Sequence, residues 1–575
     1  MWIDLPPFVI LFIGAILAAV TRGTVRNAIL LATPILGGLN LIGAEEGIHL
    51  QWDLIGYTLV PFRVDGLSLL FGYLFHLAAL IGNLFALHLT KDEGATVQHT
   101  SALLYAGSAL GAVFAGDLIT MFVFWELLAL TSVFLIWARK SERSYRAGVR
   151  YLVIHVVSGV ILLSGAILRA WDTGSIEFTA MGLDGSLASL LILVSFGIKA
   201  AFPLAHNWLT DAYPEGTATG AVFLSAFTTK VAVYGLARGF AGTEELIYIG
   251  AIMTAFPIFF AVIENDLRRV LGYSMINQIG FMVTGVGIGT ALALNGAVAH
   301  AFTDVIFKGL LFMTMGSVLH QTGRINGSDL GGLYKSMPWT AGFCMIGAAS
   351  ISAFPLFSGF VSKSMVMAAA IEEGHMWVWL VLLFAAAGVF HHAGIKIPFF
   401  AFYAHDSGIR TNEAPKNMLF AMGLAAVLCV LIGTFPEQTL YRILPFDAEY
   451  HPYDATHVLA QTQLLFFGAM AFVGLQKFGI YPPELRSVNI DVEWLYRRVA
   501  PRMVHGVGAA VGRIDSAVRS TVLKAIRNGT GVAFRHHGPQ GRLARTWPTG
   551  SMVLWVTILL AALVGFALFE GGIFG

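Results

Sequence analysis

Charge is what this sequence has least of. Asp, Glu, Lys and Arg make up 12% of its 575 residues, about half the ~25% of an ordinary soluble domain. A chain so poor in charge cannot coat a water-facing surface. Its 35 basic and 34 acidic residues nearly cancel, leaving a formal net charge of +1 and no electrostatic pull toward nucleic acid. Cysteine is almost missing. Cys344 and Cys429 stand in separate apolar runs, which excludes a disulfide framework and cysteine metal-ligand spacing; both read as small buried hydrophobes. No glycine-rich phosphate loop, metal cluster or nucleophile–base constellation is found. ATP hydrolysis and a redox cofactor therefore have no support, and no cofactor is expected. The first residues, MWIDLPPFVILFIGAILAAV, carry an acid and two prolines where a signal peptide needs a basic region. They read as a retained first helix.

What is abundant is oil. The chain is 57% hydrophobic, and apolar runs of ~20 residues recur along most of it, each long enough to cross a hydrocarbon core. The alternating short segments of a β-barrel are absent. The sequence therefore predicts an all-α polytopic membrane protein of about 16 transmembrane helices. The spans are expected at 4–22, 24–43, 64–90, 99–116, 117–138, 147–170, 186–212, 216–240, 244–264, 268–290, 294–320, 336–370, 374–404, 414–434, 457–476 and 550–571.

A faint repeat lies within them. Ala201-Phe202-Pro203-Leu204 recurs as Ala353-Phe354-Pro355-Leu356, 152 residues on (353 − 201). That offset lays spans 4–8 on spans 9–13. Five crossings per unit make the second unit inverted, an arrangement typical of secondary transporters with interrupted helices. The expected organisation is N-terminal transmembrane helices (1–98), a first five-helix repeat (99–240), a second, inverted one (244–404), C-terminal transmembrane helices (405–476), a basic segment (477–549) and a final anchor (550–575).

Basic residues in short loops set the orientation. Arg139, Lys140, Arg143, Arg146, Arg268, Arg269, Arg324, Lys335, Arg410 and Lys416 all follow odd-numbered spans, whereas loop 171–185 has acids and no Lys or Arg. The odd-loop side is expected to be cytoplasmic, with both termini outside. Segment 477–549 falls on the same side with twelve basic and four acidic residues, a balance of +8. Between Val488 and Ile526 its apolar residues recur at helical spacing, which predicts an amphipathic helix on the membrane surface or against a partner subunit.

Against this background, Glu126, Lys199, Lys230, Lys308, Lys363 and Lys396 stand out, because all six fall inside predicted spans. A charge at the bilayer centre costs at least ~2.5–3.5 kcal/mol, so such residues face protein or water and mark ion pathways. Glu126 lies about ten residues into span 5, and Lys199 in span 7 is its natural partner. Pro203 has no N–H to give the carbonyl of residue 199, so the helix must break at the lysine, and the freed backbone groups need water or protein. The pair reads as a device that loads and unloads a lysine, or as a static ion pair between two helices. Lys230 in span 8 is the next stop, or a snorkelling lysine. His300, Asp304 and Lys308 in span 11 follow at i, i+4, i+8, one stripe of one helix, suited to proton hopping. One helix offers too few ligands for a metal. Lys363 sits just past the break expected in span 12. Lys396, two residues before Pro398, is nearer the cytoplasmic side, where snorkelling competes. Asp65, Asp117 and Arg150 sit near span ends and read as caps or loop anchors.

Five segments, FAGDLITMFVFWELLAL, GIKAAFPLAHNWLTDAYPEGT, NDLRRVLGYSMINQIGFM, HAFTDVIFKGLLF and FPLFSGFVSKS, occur in an order that resembles the antiporter-like subunits shared by respiratory complex I and the multi-subunit Mrp-type Na⁺/H⁺ antiporters. The resemblance runs from about residue 60 to 435. LSAFTTKVAVYGLAR and GIKIPFFAFY look most like the D-type subunit of Mrp systems. The resemblance implies two inverted five-helix units and a hydrated polar axis along the membrane mid-plane. It places Glu126 at the family's span-5 glutamate, Lys199 at its span-7 lysine and Lys230 at the lysine of the next span. Lys308 falls at the connecting lysine and Lys363 at the terminal lysine. Asp304 stands where the family often has histidine. The implied function is proton translocation in a multi-subunit monovalent cation (Na⁺)/H⁺ antiporter, a secondary transporter rather than an enzyme. Its expected partners are other membrane subunits, H⁺, Na⁺ and lipid, in a bacterial inner membrane. A pumping subunit of a complex I-type or bicarbonate-accumulating complex is the alternative; a static structural subunit is a third.

Overall fold

The computed structural model describes residues 5–89, 93–546 and 548–570; the ends expected for spans at residues 4, 90 and 571 lie outside these. The helices are α1 (Pro7–Val20), α2 (Gly23–Leu41), α3 (Gly66–Ala86), α4 (Glu93–Phe114), α5 (Leu118–Trp137), α6 (Glu142–Thr173), α7 (Leu187–Lys199), α8 (Asn207–Ala212), α9 (Gly220–Ala226), α10 (Thr228–Gly239), α11 (Glu244–Ile263), α12 (Leu267–Ile288), α13 (Ala291–Thr322), α14 (Pro338–Ile351), α15 (Ser358–Glu372), α16 (Met376–Val389), α17 (Lys416–Thr434), α18 (Ala455–Lys477), α19 (Ala500–His537) and α20 (Thr549–Glu570). Each of the sixteen expected spans coincides with a helix or a broken pair, and among the described residues ten helical segments are long and apolar enough to cross a membrane. The protein is a multi-pass, helical membrane protein.

The all-α expectation holds, with one small addition and one shifted boundary. Residues 47–64, too polar for a span, form an antiparallel hairpin, β1 (Gly47–Leu54) and β2 (Tyr57–Val64). Ile55 and Gly56 both have positive φ, as a two-residue primed turn requires, and β2 buries Val60, Phe62 and Val64. The amphipathic helix begins later than Val488 and runs farther than Ile526, as α19 (Ala500–His537).

The repeat is written in the backbone. Both breaks carry a pair of left-handed residues at the same places: Ala201 (φ +63°) with Leu204 (φ +73°), and Ala353 (φ +59°) with Leu356 (φ +73°). Non-glycine residues rarely adopt this region, so its double recurrence is specific. Upstream of the breaks the offset is 149. Asp117 and Asp266 cap α5 and α12 in the same way, and each pairs as an isolated β-bridge, with Glu177 and Asn326. The 32-residue helices α6 and α13 obey the same offset. The fold contains two inverted five-helix repeats with broken helices.

The chain forms two compact units, 1–489 and 490–575. In the first, α13 runs through the centre, buried along nearly its whole length and packed on α3, α9, α12, α14, α15 and α17. Backbones approach most closely where side chains vanish: a Cβ on Gly280 of α12 would lie 2.7 Å from the Gly250 carbonyl of α11. Small residues are what allow such packing in a bilayer, where no hydrophobic force drives helices together. The second unit holds α19 and α20. Val504, Val507, Val511, Ile514, Val518 and Val522 make one exposed apolar stripe on α19.

Candidate functional site: a buried polar axis

Asp117 fixes the start of α5, accepting from the N–H groups of Ile119 and Thr120 and from Val60 of the hairpin (2.7 Å). Two turns on, Glu126 is half-buried, and its Oε1 is enclosed with no hydrogen-bond partner among the described residues. The carboxylate lies in the space that a side chain on Gly159 of α6 would fill. Lys199 is the last residue of α7, so the helix does break at the lysine. Its ammonium donates to the carbonyl of Trp125, the residue before Glu126, and sits 4.3 Å from the Trp125 ring centroid. Trp208 Nε1 donates at 2.8 Å to the Ile198 carbonyl, which also accepts from the Ala201 N–H at 3.1 Å.

The next span is interrupted too, between α9 and α10, where the Tyr105 hydroxyl accepts from Thr228 N–H at 3.0 Å. Lys230 follows. It is fully buried, not snorkelling, and its Nζ donates to Asp304 Oδ2 (2.6 Å) and to the Ser225 carbonyl (3.2 Å). Asp304 is thus the partner of a lysine from the first repeat, and the pair joins the two repeats. His300, Asp304 and Lys308 do share one stripe of α13, all buried. His300 Nε2 lies 3.1 Å from Gln278 Oε1, and Nδ1 lies 3.0 Å from the Ser362 hydroxyl. An amide oxygen only accepts, so Nε2 carries a hydrogen. Lys308 Nζ donates to Ser274 Oγ at 2.8 Å. Lys363, one residue after Ser362, donates to the Ile351 carbonyl at the second break (3.1 Å) and lies 4.9 Å from the Phe281 centroid.

Lys396 stands apart. It ends a π-helical stretch, Phe390–Lys396, that continues α16. Its three N–H groups face four acceptors: the carbonyls of Ala261, Val262 and Glu264 at the end of α11, and Glu484 Oε1 at 2.9 Å. A cation suits a helix C-terminus. Glu484 belongs to a strap after α18 that is held again by Arg486 on Asp329 (2.7 Å) and Asn489 on Glu264 (3.3 Å). The expected caps and anchors are also in place: Asp65 forms a capping box with Ser68 and pairs with Arg238 at 2.6 Å, and Arg150 pairs with Asp211 at 2.7 Å. Both cysteines are free and buried.

Sequence reasoning passed over several members. Gln278, Ser274 and Ser362 are uncharged and carry no signal in an apolar helix. His155 of α6 is fully buried between the rings of Tyr151 (4.2 Å) and Trp208 (4.3 Å), with neither nitrogen partnered among the described residues. Its signal was available: Tyr151, His155 and Gly159 occupy in α6 the positions that His300, Asp304 and Lys308 occupy in α13, at the 149-residue offset.

Titratable side chains thus run from α5 to α15 through the most buried part of the first unit, several of them with hydrogen-bonding capacity left over. Residues 115–391 match the family described as NADH:quinone oxidoreductase/Mrp antiporter, transmembrane. The D-type subunit of the Na⁺/H⁺ antiporter of Alkalihalophilus pseudofirmus is 32% identical over 360 residues, which cover 59% of this chain and 70% of that protein. The chain belongs to this family. The A-type subunit of the same organism's Na⁺/H⁺ antiporter is 30% identical over 429 residues, covering 66% of this chain and 53% of that protein; the family member described here spans about half the length of that relative. In the solved Mrp complex from Dietzia sp. DQ12-45-1b, one chain shares its fold with a TM-score of 0.69 at 22% identity, covering 80% of this chain and 99% of that one.

Proposed function

We propose that the protein is the proton-translocating subunit of a multi-subunit monovalent cation/proton antiporter in a bacterial inner membrane, with Na⁺ as the exchanged cation. The single observation that carries this reading is the buried axis Glu126, Lys199, Lys230–Asp304, His300, Lys308 and Lys363, drawn from both repeats. A purely structural subunit gains nothing from so many charges, since buried ion pairs seldom stabilise more than apolar residues of like volume. Protons pass from the odd-loop side to Lys199, gated by Glu126, then by way of Lys230, His300 and Lys308 to Lys363. Asp304 holds Lys230 and separates it from Lys308. Lys396, with all its donors engaged, anchors the strap that bears Glu484. Other membrane subunits supply the cation path.

The test is ΔpH driven by Na⁺ or K⁺ in vesicles carrying the whole complex. Glu126→Ala and Lys199→Ala are expected to abolish the signal while the complex still assembles; signals equal to wild type would remove both residues from the mechanism. The family name covers redox-coupled complexes as well, so the alternative is a pumping subunit of a complex I-type assembly. A signal generated by a quinone or NADH substrate, and not by a Na⁺ gradient, would establish that alternative.

A further inference from the structure

The axis ends at Lys363, which is buried and makes one hydrogen bond. Lys363 also lines a cavity of about 200 Å³ between α15, α16 and α18, whose walls include Met367, Trp379, Thr456, His457 and Gln461. At ~30 Å³ per molecule this has room for several waters, and in a largely apolar wall Lys363, Ser364, Thr456, His457 and Gln461 supply the polar partners. The cavity therefore joins the last buried ammonium to the first turn of α18.

Three hydrogen bonds seat that turn and the chain before it on the break. Gln461 Nε2 donates to the freed Ser352 carbonyl at 3.0 Å, the Leu356 N–H donates to the Tyr453 hydroxyl at 3.2 Å, and the Tyr441 hydroxyl donates to the Val361 carbonyl at 2.8 Å. Ser352, Leu356 and Val361 of the interrupted helix are thus met by residues 441–461, which also wall the cavity beside Lys363. At the first break, Trp208 of the same span donates to the Ile198 carbonyl, two residues upstream of the position that matches Ser352. The C-terminal helix is recruited to the second break alone.

His457 is one of several cavity-lining residues that reach the surface, with Ile371, Thr456 and Ala460. It is partly exposed, its Nδ1 faces Asp454 Oδ2, and Tyr450 lies 6.1 Å away, ring to ring. Asp454 caps α18 through the N–H groups of His457 (2.9 Å) and Thr456 (2.8 Å). Those contacts, the His457 amide foremost, hold the Asp454 carboxyl below the usual carboxylate range, so a carboxylate remains beside the imidazole.

We propose that His457 is the exit-side proton acceptor of this subunit, taking protons from Lys363 through the cavity and passing them to the face on which α18 begins. This rests on the translocation reading above. An N–H bond of the Lys363 ammonium breaks, cavity water carries the proton, and a new N–H bond forms at His457 Nε2. Asp454 holds the imidazolium at Nδ1. Release of the proton to bulk water returns the neutral ring, and no redox partner is involved.

The experiment compares Na⁺-driven proton movement in vesicles carrying the whole complex with Lys363→Ala, His457→Ala or His457→Gln, at equal amounts of assembled complex. Because His457 is partly exposed, neither change at that position threatens folding. His457→Ala and His457→Gln are expected to lower the rate at least tenfold, and added imidazole is expected to restore the alanine variant. Wild-type rates in His457→Ala, or a loss that imidazole leaves in place, overturn the exit assignment. If Lys363→Ala is inactive while His457→Ala is active, the exit alone is wrong. If Lys363→Ala is active, the translocation reading falls, and the exit assignment with it.

Discussion

The two breaks share a sequence and a backbone, yet they hold their lysines differently. In the first, Lys199 is the last residue before the interruption and lies against a carbonyl of α5. In the second, Lys363 lies after the interruption, beside a cavity. At the first break Trp208 donates to the Ile198 carbonyl from within its own span, whereas at the second Gln461 reaches the Ser352 carbonyl from outside the repeat; the two carbonyls are not at matching positions. The shared backbone sets where the helices open, and the side chains around each opening set what it faces.

The sharpest way to break this comparison is to remove the amines. Lys199→Ala and Lys363→Ala are each expected to cut transport at least ~100-fold, the lower range of a positioned proton-transfer group, at unchanged assembly in blue-native gels. A deficit in only one would show that one repeat is a spectator. Second in size is the link between the repeats. Asp304→Ala strands the buried Lys230 ammonium, and removing one partner of a buried pair costs about 3–5 kcal/mol. Thermal unfolding of the purified complex should fall accordingly, and Lys230→Met combined with Asp304→Leu should recover most of it. Third, Gly159→Ala forces the Glu126 carboxylate out of its place at an overpacking cost of about 1–3 kcal/mol, with transport reduced several-fold. Gly309→Ala, with nothing within 4 Å of the added methyl, is the control expected to behave as wild type. Fourth, Gln461→Ala leaves the Ser352 carbonyl unpaired, a loss of about 1–3 kcal/mol, whereas Trp208→Phe leaves Ile198 its bond from the Ala201 N–H and is expected to cost less. The first should loosen α18 in hydrogen exchange, and the second should not.

The smallest effect concerns the strap. Burial alone would push the Asp329 carboxyl up, but hydrogen bonds from Arg486 and Asn326 outweigh it and hold it below the usual range. A depressed carboxyl stabilises the fold above its unfolded value, ~3.9 for aspartate, and the gain is lost as pH falls through the lower, folded value. Proteolysis within 478–489 should therefore stay slow at neutral pH and quicken only below that range; an onset near pH 6 would show that another group controls the strap.

Much of this was legible in the sequence. Hydropathy marked a helix or broken pair at each expected span, and among the described residues ten helical segments meet the length that a hydrocarbon core imposes on apolar runs. Pro203 and Pro355 announced both breaks, since a missing N–H acts locally. What escaped acts across distance. The Lys230–Asp304 pair joins residues 74 apart in the chain, and no periodicity encodes that. Glu484 hid in a polar stretch that reads as solvated, although only the fold brings it to Lys396. The β-hairpin was missed because its half-buried alternation is short beside the long apolar signal of its neighbours. Gln278 and Ser274 matter through hydrogen bonds, for which a hydropathy profile has no axis.

Gly159 and Lys308 hold the same register in duplicated helices. Lys308 reaches from α13 across to Ser274 on α12, whereas at the matching crossing it is Glu126 of α5 that reaches toward α6, into the room its glycine leaves. Two equivalent helix crossings therefore hold a lysine that grows from one helix and a glutamate that grows from the other. The repeated scaffold thus sets basic and acidic chemistry at matching places, with the bulky side chain on opposite partners of each crossing.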